Sequence, residues 1–354
     1  MRILWLGHRD IRHPSAGGAE RTMYEVSRRL VRAGFNVTLA TVNPGDLKEF
    51  DVIEGVNIIR MRGNIMAHLN VPFTISNVKP DVIIDDLAHV VPWFSSYFTD
   101  KRVIAFFRHL HARSLSGQVN PVMAKILSFL EGKYGHIYKN STFVTESITS
   151  INDLVNLGIE KERICRILPG VNHELFKMGK KFEDPTLIYF GGMRDYKRPW
   201  MALSLMKMFR DKNFKLIIVG SGKSSQKVET VCEKYSICDR VNFTGRLSDE
   251  GVAESLKSSW INVHFSMTEG FGYSLLEAAA SGTPTVALDS PGVSEVINEF
   301  GLGLVARDLG DMKVKIEEII EGYRQWSNKV HENSLRFSWD KSAKEWEKLF
   351  RSLI

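Results

Sequence analysis

Twelve short apolar runs, each followed by a helix-length segment, constrain this chain more than any other feature. In the first half they are Ile3–Gly7, Asn36–Thr41, Val56–Met61, Asp81–Asp85, Arg102–Phe107, Ser141–Thr145 and Ile164–Leu168. In the second half they are Thr186–Gly191, Phe214–Gly220, Arg240–Thr244, Trp260–Phe265 and Thr283–Ala287. Runs this short and this continuously apolar, rich in β-branched residues, read as strands buried on both faces. Their alternation with helical segments requires parallel sheets joined by crossover helices. The pattern pauses once, around Gly170–Asp184, where Pro, Gly, Lys and Asp cluster. At 354 residues the chain is long for a single hydrophobic core. The expected architecture is therefore α/β, with two doubly wound, Rossmann-like domains facing each other across a cleft. Ligands of such sheets sit beyond the carboxyl ends of the strands.

Composition narrows the function classes. No apolar run approaches the roughly 20 residues that span a bilayer. The apolar start, Met1–Gly7, lacks a cleavage site and reads as a buried first strand. Cys165, Cys232 and Cys238 follow neither a metal nor a disulfide spacing, which points to a reducing, cytoplasmic compartment. A net charge of +6 suits an anionic ligand or an anionic membrane surface. Nucleic acid is disfavoured as a partner, because no basic run is interleaved with aromatics and no zinc spacing occurs.

Three loops carry chemistry. Gly17-Gly18-Ala19-Glu20 opens the helix-like stretch Glu20–Ala33, and paired glycines there expose backbone N–H groups to an anion. A plain flexible loop explains the same residues. The segment Ser266–Ala278 follows a strand and places Glu269 before Gly270-Phe271-Gly272-Tyr273-Ser274, and Glu277 after it. Two glycines bare amides for a diphosphate, and two flanking carboxylates suit sugar hydroxyls. The competing explanation is a capping box, with Ser274 as N-cap and Glu277 as its partner. Gly191-Gly192-Met193-Arg194-Asp195-Tyr196-Lys197-Arg198 gathers three cations beside two glycines. Basic residues crowding a helix start are disfavoured by the dipole, a cost that a bound anion would offset.

At these residues the chain resembles glycosyltransferase family 4, the retaining enzymes of GT-B fold, over nearly its whole length. The resemblance lies chiefly in Glu269-Gly270-Phe271-Gly272 through Glu277, a Glu-x7-Glu motif, and in its continuation Ala278–Ala287. Gly17–Glu20, Leu168–Asn172 and Val219–Gly222 match as well. Phe337-Ser338-Trp339-Asp340 precedes a helix like the one that in this family crosses back to the N-terminal domain. The implied domains are 1–170 plus 338–354 on the acceptor side and 180–337 on the nucleotide-sugar side. The implied roles are ribose binding for Glu277 and donor-sugar contact for Glu269. The amides from Phe271 to Ser274 would meet sugar hydroxyls and the diphosphate. Gly17, Gly18 and Lys197 would also meet the diphosphate. The family places an arginine five residues before that lysine, where this chain has Gly192, and Arg194 could substitute. A histidine after the strand Arg102–Phe107 is also implied; His109 is favoured over His111.

The resemblance implies retaining transfer from a UDP- or GDP-linked sugar to a hydroxyl, by a front-face route and without cofactor or metal. The chain has no Asp-x-Asp. Asp85 and Asp86 read as acceptor contacts. The rivals are a phosphorylase or epimerase on the same fold and a non-catalytic nucleotide-sugar sensor. The expected acceptor is a lipid or lipid-linked glycan, met by peripheral attachment to the cytoplasmic membrane face. Two segments motivate this: Glu20–Ala33, with Met23, Val26 and Leu30, and Val122–Lys139, with Lys125, Lys133 and Lys139. Phe129, Leu130 and Tyr134 are the side chains expected outside the core.

Overall fold

The computed structural model describes residues 1–113, 115, 119–209 and 213–353. It divides into two compact units, Met1–Gly170 with Ser338–Ile354, and Val171–Phe337. The first unit is built on β1 (Arg2–Leu6), β2 (Asn36–Asn43), β3 (Phe50–Ile53), β4 (Val56–Arg62), β5 (Val82–Leu87), β6 (Arg102–Phe107), β7 (Thr142–Thr145) and β8 (Ile164–Arg166). They form one sheet in the order β3-β4-β2-β1-β5-β6-β7-β8, parallel except for β3. Its first helices are α1 (Gly18–Arg32), α2 (Asn64–Leu69), α3 (Val71–Val78), α4 (Pro121–Glu131), α5 (Tyr134–Ile137) and α6 (Ile148–Asn156).

The second unit holds β9 (Thr186–Phe190), β10 (Lys215–Val219), β11 (Val241–Gly245), β12 (Ile261–His264), β13 (Thr285–Leu288) and β14 (Gly303–Ala306). The sheet is parallel throughout, in the order β11-β10-β9-β12-β13-β14. Its helices are α7 (Met201–Lys207), α8 (Ser225–Tyr235), α9 (Asp249–Ser258), α10 (Tyr273–Ala280), α11 (Val293–Phe300), α12 (Leu309–Glu321) and α13 (Tyr323–Ser334). The central strands are buried along their length, as continuously apolar runs between two helical layers must be.

The chain then returns to the first unit as α14 (Trp339–Ser352). Ser338 caps this helix by accepting from the Asp340 amide. Trp346 packs against Trp5 and Phe106, and Arg29 of α1 pairs with Asp340. The buried stripe of α1, Met23, Val26 and Leu30, is therefore core. The expectation that Glu20–Ala33 docks on a membrane is overturned, because an apolar stripe on a doubly wound domain is consumed by its own sheet and neighbouring helix.

Two strands escaped the sequence reading. β3 alternates exposed and half-buried residues and pairs with β4 through a turn with positive φ at both Glu54 and Gly55. Such a hairpin is normally signalled by Asn-Gly or Asp-Gly, not Glu-Gly. β14 is a half-buried edge strand of four residues. Cys232 and Cys238, read as unpaired, are placed as a disulfide with Cα atoms 5.4 Å apart. The tight turn after α8 brings together two residues whose spacing follows no framework pattern.

Candidate active site

In the second unit the chain winds from β9 outward through β10 to β11, then returns to lay β12 on the other side of β9. The loops leaving β9 and β12 therefore diverge and open a crevice at their carboxyl ends, where doubly wound sheets bind ligands. These two loops carry Gly191–Arg198 and Ser266–Gly272. They are tied together: the Met267 amide donates to the Tyr196 carbonyl at 2.9 Å, and the Arg198 guanidinium donates to the Phe265 carbonyl at 2.7 Å.

Lys197 and Glu269 meet in this crevice, Nζ to Oε1 at 3.1 Å. Ser266 Oγ donates to the same Oε1 at 2.8 Å, and His264 Nε2 stands 3.8 Å from it. Burial by itself would raise the carboxyl and lower the amine. The opposite charge at 3 Å reverses both, holding Glu269 well below and Lys197 well above their ordinary ranges. His264 is different. Burial, helped by Lys197 and Arg198 and opposed by Glu269, lowers it to about 4, so its ring is neutral beside the pair.

Backbone geometry fixes the rest of the loop. Gly272 is the N-cap of α10 at φ 86, a left-handed conformation that admits glycine readily. No side chain caps this helix. The capping-box explanation of Ser274 and Glu277 is thereby overturned, because Ser274 lies inside the helix and Glu277 one turn on. At Gly292, at φ 80, a β-carbon would sit 2.0 Å from the Glu269 carbonyl, so the loop after β13 presses directly on the loop that holds the carboxylate. The Phe271 ring packs against Phe300 and Phe337 and is core, leaving only its backbone to the crevice.

The three cations separate. Lys197 joins Glu269 and Arg198 is spent on a backbone carbonyl. Arg194 is exposed, and its Nε lies 3.9 Å from where a β-carbon on Gly192 would sit. Lys197 ends a 3-10 turn, Asp195–Lys197, that Arg194 and Arg198 flank, ahead of the N-terminus of α7. The dipole cost expected from a helix start does not arise there.

In the first unit the corresponding change of direction lies between β1 and β5. Gly17 is the N-cap of α1, and its amide donates to Glu20 Oε2 at 2.8 Å; Gly18 is the first helical residue. After β6, Arg108 is buried against Asp86 at 2.7 Å and Glu146 at 3.2 Å, and Asp86 also accepts from Trp5. Asp85 is buried on the other side, accepting from Tyr138 Oη at 2.8 Å. Both aspartates are committed inside the unit, so the expected acceptor role is withdrawn. His111 is held through both ring nitrogens, by Glu131 and the Ala88 carbonyl. The half-buried His109 ring lies 4.5 Å from it.

Sequence reasoning missed His264, though a histidine closing an apolar strand is a visible signal. It also missed a ring cluster at the β1/β5 carboxyl ends. There His8 lies 4.1 Å from His89 and 4.6 Å from Trp93, and His68 of α2 stacks on Trp93 at 4.5 Å. No local pattern could reveal it, since the four residues come from three separate segments.

Residues 172–346 match the family model described as Glycosyl transferases group 1, and residues 16–175 match that of Glycosyltransferase Family 4. A phosphatidylinositol N-acetylglucosaminyltransferase protein of Arabidopsis thaliana is 30% identical over 376 residues, covering 98% of this chain and 81% of that protein. Among solved structures, sucrose-phosphate synthase from Thermosynechococcus elongatus superposes with a TM-score of 0.82 at 19% identity, covering 99% of this chain and 98% of that one. Anabaena Alr3699/HepE in complex with UDP-glucose superposes with a TM-score of 0.79 at 15% identity, covering 99% and 100%. Both carry the same fold as this chain.

Proposed function

The chain belongs to the group 1, family 4 glycosyltransferases, and from that premise we propose that it transfers a sugar from a UDP- or GDP-linked donor, with retention and without a metal, to a lipid or lipid-linked acceptor. The observation that carries the donor half is the half-buried Lys197–Glu269 pair at the β9/β12 crevice, next to a helix whose N-cap is a glycine. In this reading Glu277 holds the ribose. Glu269 contacts the donor sugar, and the amides of Phe271, Gly272, Tyr273 and Ser274, with Gly270 giving room, meet its hydroxyls and the diphosphate. Lys197 and Arg194 stabilise negative charge on the leaving diphosphate, work that needs no metal ion; of the Gly17-Gly18 amides expected to help, that of Gly17 already donates to Glu20. His109 stands at the acceptor side. The leaving phosphate takes the acceptor proton in a front-face reaction, and no cofactor takes part.

The acceptor half rests on surface chemistry. Among the described residues no helix is long and apolar enough to cross a membrane. On α4, however, Val122, Met123, Ile126 and Phe129 stand exposed, Phe129 by 67%, with Lys125 and Lys133 alongside. On α2 and α3, Ile65, Met66, Leu69 and Phe73 do the same. Neither 55–80 nor 101–130 contains an acidic residue. Exposed apolar stripes on segments poor in acidic residues, α4 ending in the buried Glu131, suit an anionic lipid surface. Of the three side chains expected there, Phe129 is exposed and Leu130 half-buried, whereas Tyr134 is core, donating its hydroxyl to the Val90 carbonyl. A cytoplasmic, peripheral location belongs to the same proposal, though the Cys232–Cys238 pair removes the cysteine argument for a reducing compartment. The Arabidopsis relative's name, which joins N-acetylglucosaminyl transfer to phosphatidylinositol, is consistent with it.

The test is transfer from isotope-labelled UDP-N-acetylglucosamine, UDP-glucose and GDP-mannose to vesicles containing phosphatidylinositol, with and without EDTA, followed by the anomeric configuration of the product. Labelled glycolipid of retained configuration, formed in chelator, is the expected result. Donor binding with neither transfer nor hydrolysis would indicate a sensor, and release of sugar phosphate a phosphorylase.

A further inference from the structure

Around Glu269 the second unit buries polar atoms that find no hydrogen-bond partner among the described residues: Tyr189 Oη, His264 Nε2, Thr268 Oγ1 and Ser290 Oγ. They come from β9, β12 and the segments that follow β12 and β13. Tyr189 and His264 both interact electrostatically with the Lys197–Glu269 pair. His264, 5% exposed, aims Nε2 at Glu269 Oε1 from 3.8 Å, roughly 1 Å beyond hydrogen-bond length. That oxygen is already served by Lys197 and Ser266.

We propose that His264 is a positioning residue which takes over Glu269 Oε1 when a bound diphosphate draws Lys197 away, so that Oε2 stays aimed at the donor sugar. The proposal rests on reading Glu269 as the donor-sugar contact and Lys197 as the diphosphate contact. Glu269 is a largely buried carboxylate, and such a group cannot surrender its counter-ion without another donor in its place. Lys197 cannot serve the carboxylate and a diphosphate equally. Ser266 supplies a single O–H. The His264 ring is anchored on a buried strand and is a donor 3.8 Å from that oxygen, given an Nε2–H tautomer. Being neutral, it adds no second cation to compete for the diphosphate. A closing shift of the loop that carries Glu269, by about 1 Å, converts the present separation into a hydrogen bond.

The experiment compares wild type with His264→Phe and His264→Gln. It reads binding of UMP and UDP, with GMP and GDP in parallel, and turnover of UDP-N-acetylglucosamine, UDP-glucose and GDP-mannose. In wild type labelled with 15N-histidine, UDP or GDP should move the His264 Nε2–H resonance downfield, and the monophosphate should not. His264→Phe should bind the monophosphate as wild type does, yet lose about tenfold in diphosphate affinity and in kcat/KM. Gln, whose amide can donate from nearly the same place, should recover most of both. Unchanged diphosphate affinity and turnover in His264→Phe would overturn the role. So would mono- and diphosphate affinity falling together with the melting temperature, unrescued by Gln, which is the mark of a packing residue. If Glu269→Gln is inactive while His264→Phe is not, the donor reading survives and the His264 role alone is lost. If wild type binds no nucleotide, both are lost.

Discussion

Glu277 lies one turn into α10, a helix whose N-cap is a glycine, so it has no capping work to lose. Glu277→Ala should raise the donor KM at least tenfold while unfolding free energy changes by less than about 0.5 kcal/mol, as for substitutions away from caps and cores. A loss of about 0.5–2 kcal/mol with unchanged KM would instead return it to a helix-start role. Asp85 gives a prediction of a different kind. Burial pushes its carboxyl up from 3.8 to about 6 against the pull of Ser95 and Tyr138. The folded state thus prefers the protonated acid. The stability this contributes is fully present below pH 4 and disappears as pH rises through 6, amounting to roughly 2–3 kcal/mol by linkage. Asp85→Asn should remove that slope, so the difference in melting temperature between variant and wild type should move in favour of the variant from pH 4 to pH 7. A constant difference would show that Asp85 stays ionised. Both residues were visible in the sequence as carboxylates in suggestive places. That Asp85 is taken up inside the fold was not, because this depends on partners from other segments: Tyr138 is 53 residues from Asp85.

Among the elements, α1 and α4 looked alike as sequences, each an apolar stripe edged with cations. α1 spends its stripe on the core, and its cations on Glu25, Glu54 and Asp340. α4 leaves its stripe in solvent, with Lys133 lying over the Phe129 ring at 5.1 Å. Reversing Lys125, Lys133 and Lys139 to Glu should abolish sedimentation with anionic liposomes at low salt, each cation contributing about 1 kcal/mol near the surface. Retained binding in the triple variant, or no binding by wild type, would leave a soluble acceptor. The crevice elements are held as closely as the core. Gly292→Ala would force a β-carbon toward the Glu269 carbonyl and should cost roughly 1–3 kcal/mol of stability along with donor affinity. A fully active, equally stable Ala variant would show that the loop yields.

At the scale of the molecule, two hydrophobic cores fold from one chain, and the C-terminal helix belongs to the first of them. The proposed nucleotide contacts of Lys197, Glu269 and Glu277 all lie in the second unit. UDP or GDP at 100 times its Kd should therefore stabilise that unit by about 2.7 kcal/mol. Hydrogen exchange should show the protection concentrated in β9, β12 and α10. Protection confined to Met1–Gly170 would move the nucleotide site to the other unit.

The sequence alone determined the class of fold, and it did so in neighbouring residues: strand-length apolar runs alternating with helix-length segments. The same locality carries the family resemblance. Tertiary structure decided the pairing of Lys197 with Glu269, the neutral histidine beside them, the burial of Asp85 and Asp86, and which of two similar helices keeps an apolar face in water. Those outcomes depend on groups tens of residues apart sharing one crevice or one core. Burial and opposite charge act through space, and a linear pattern does not record which groups will be within 4 Å of one another.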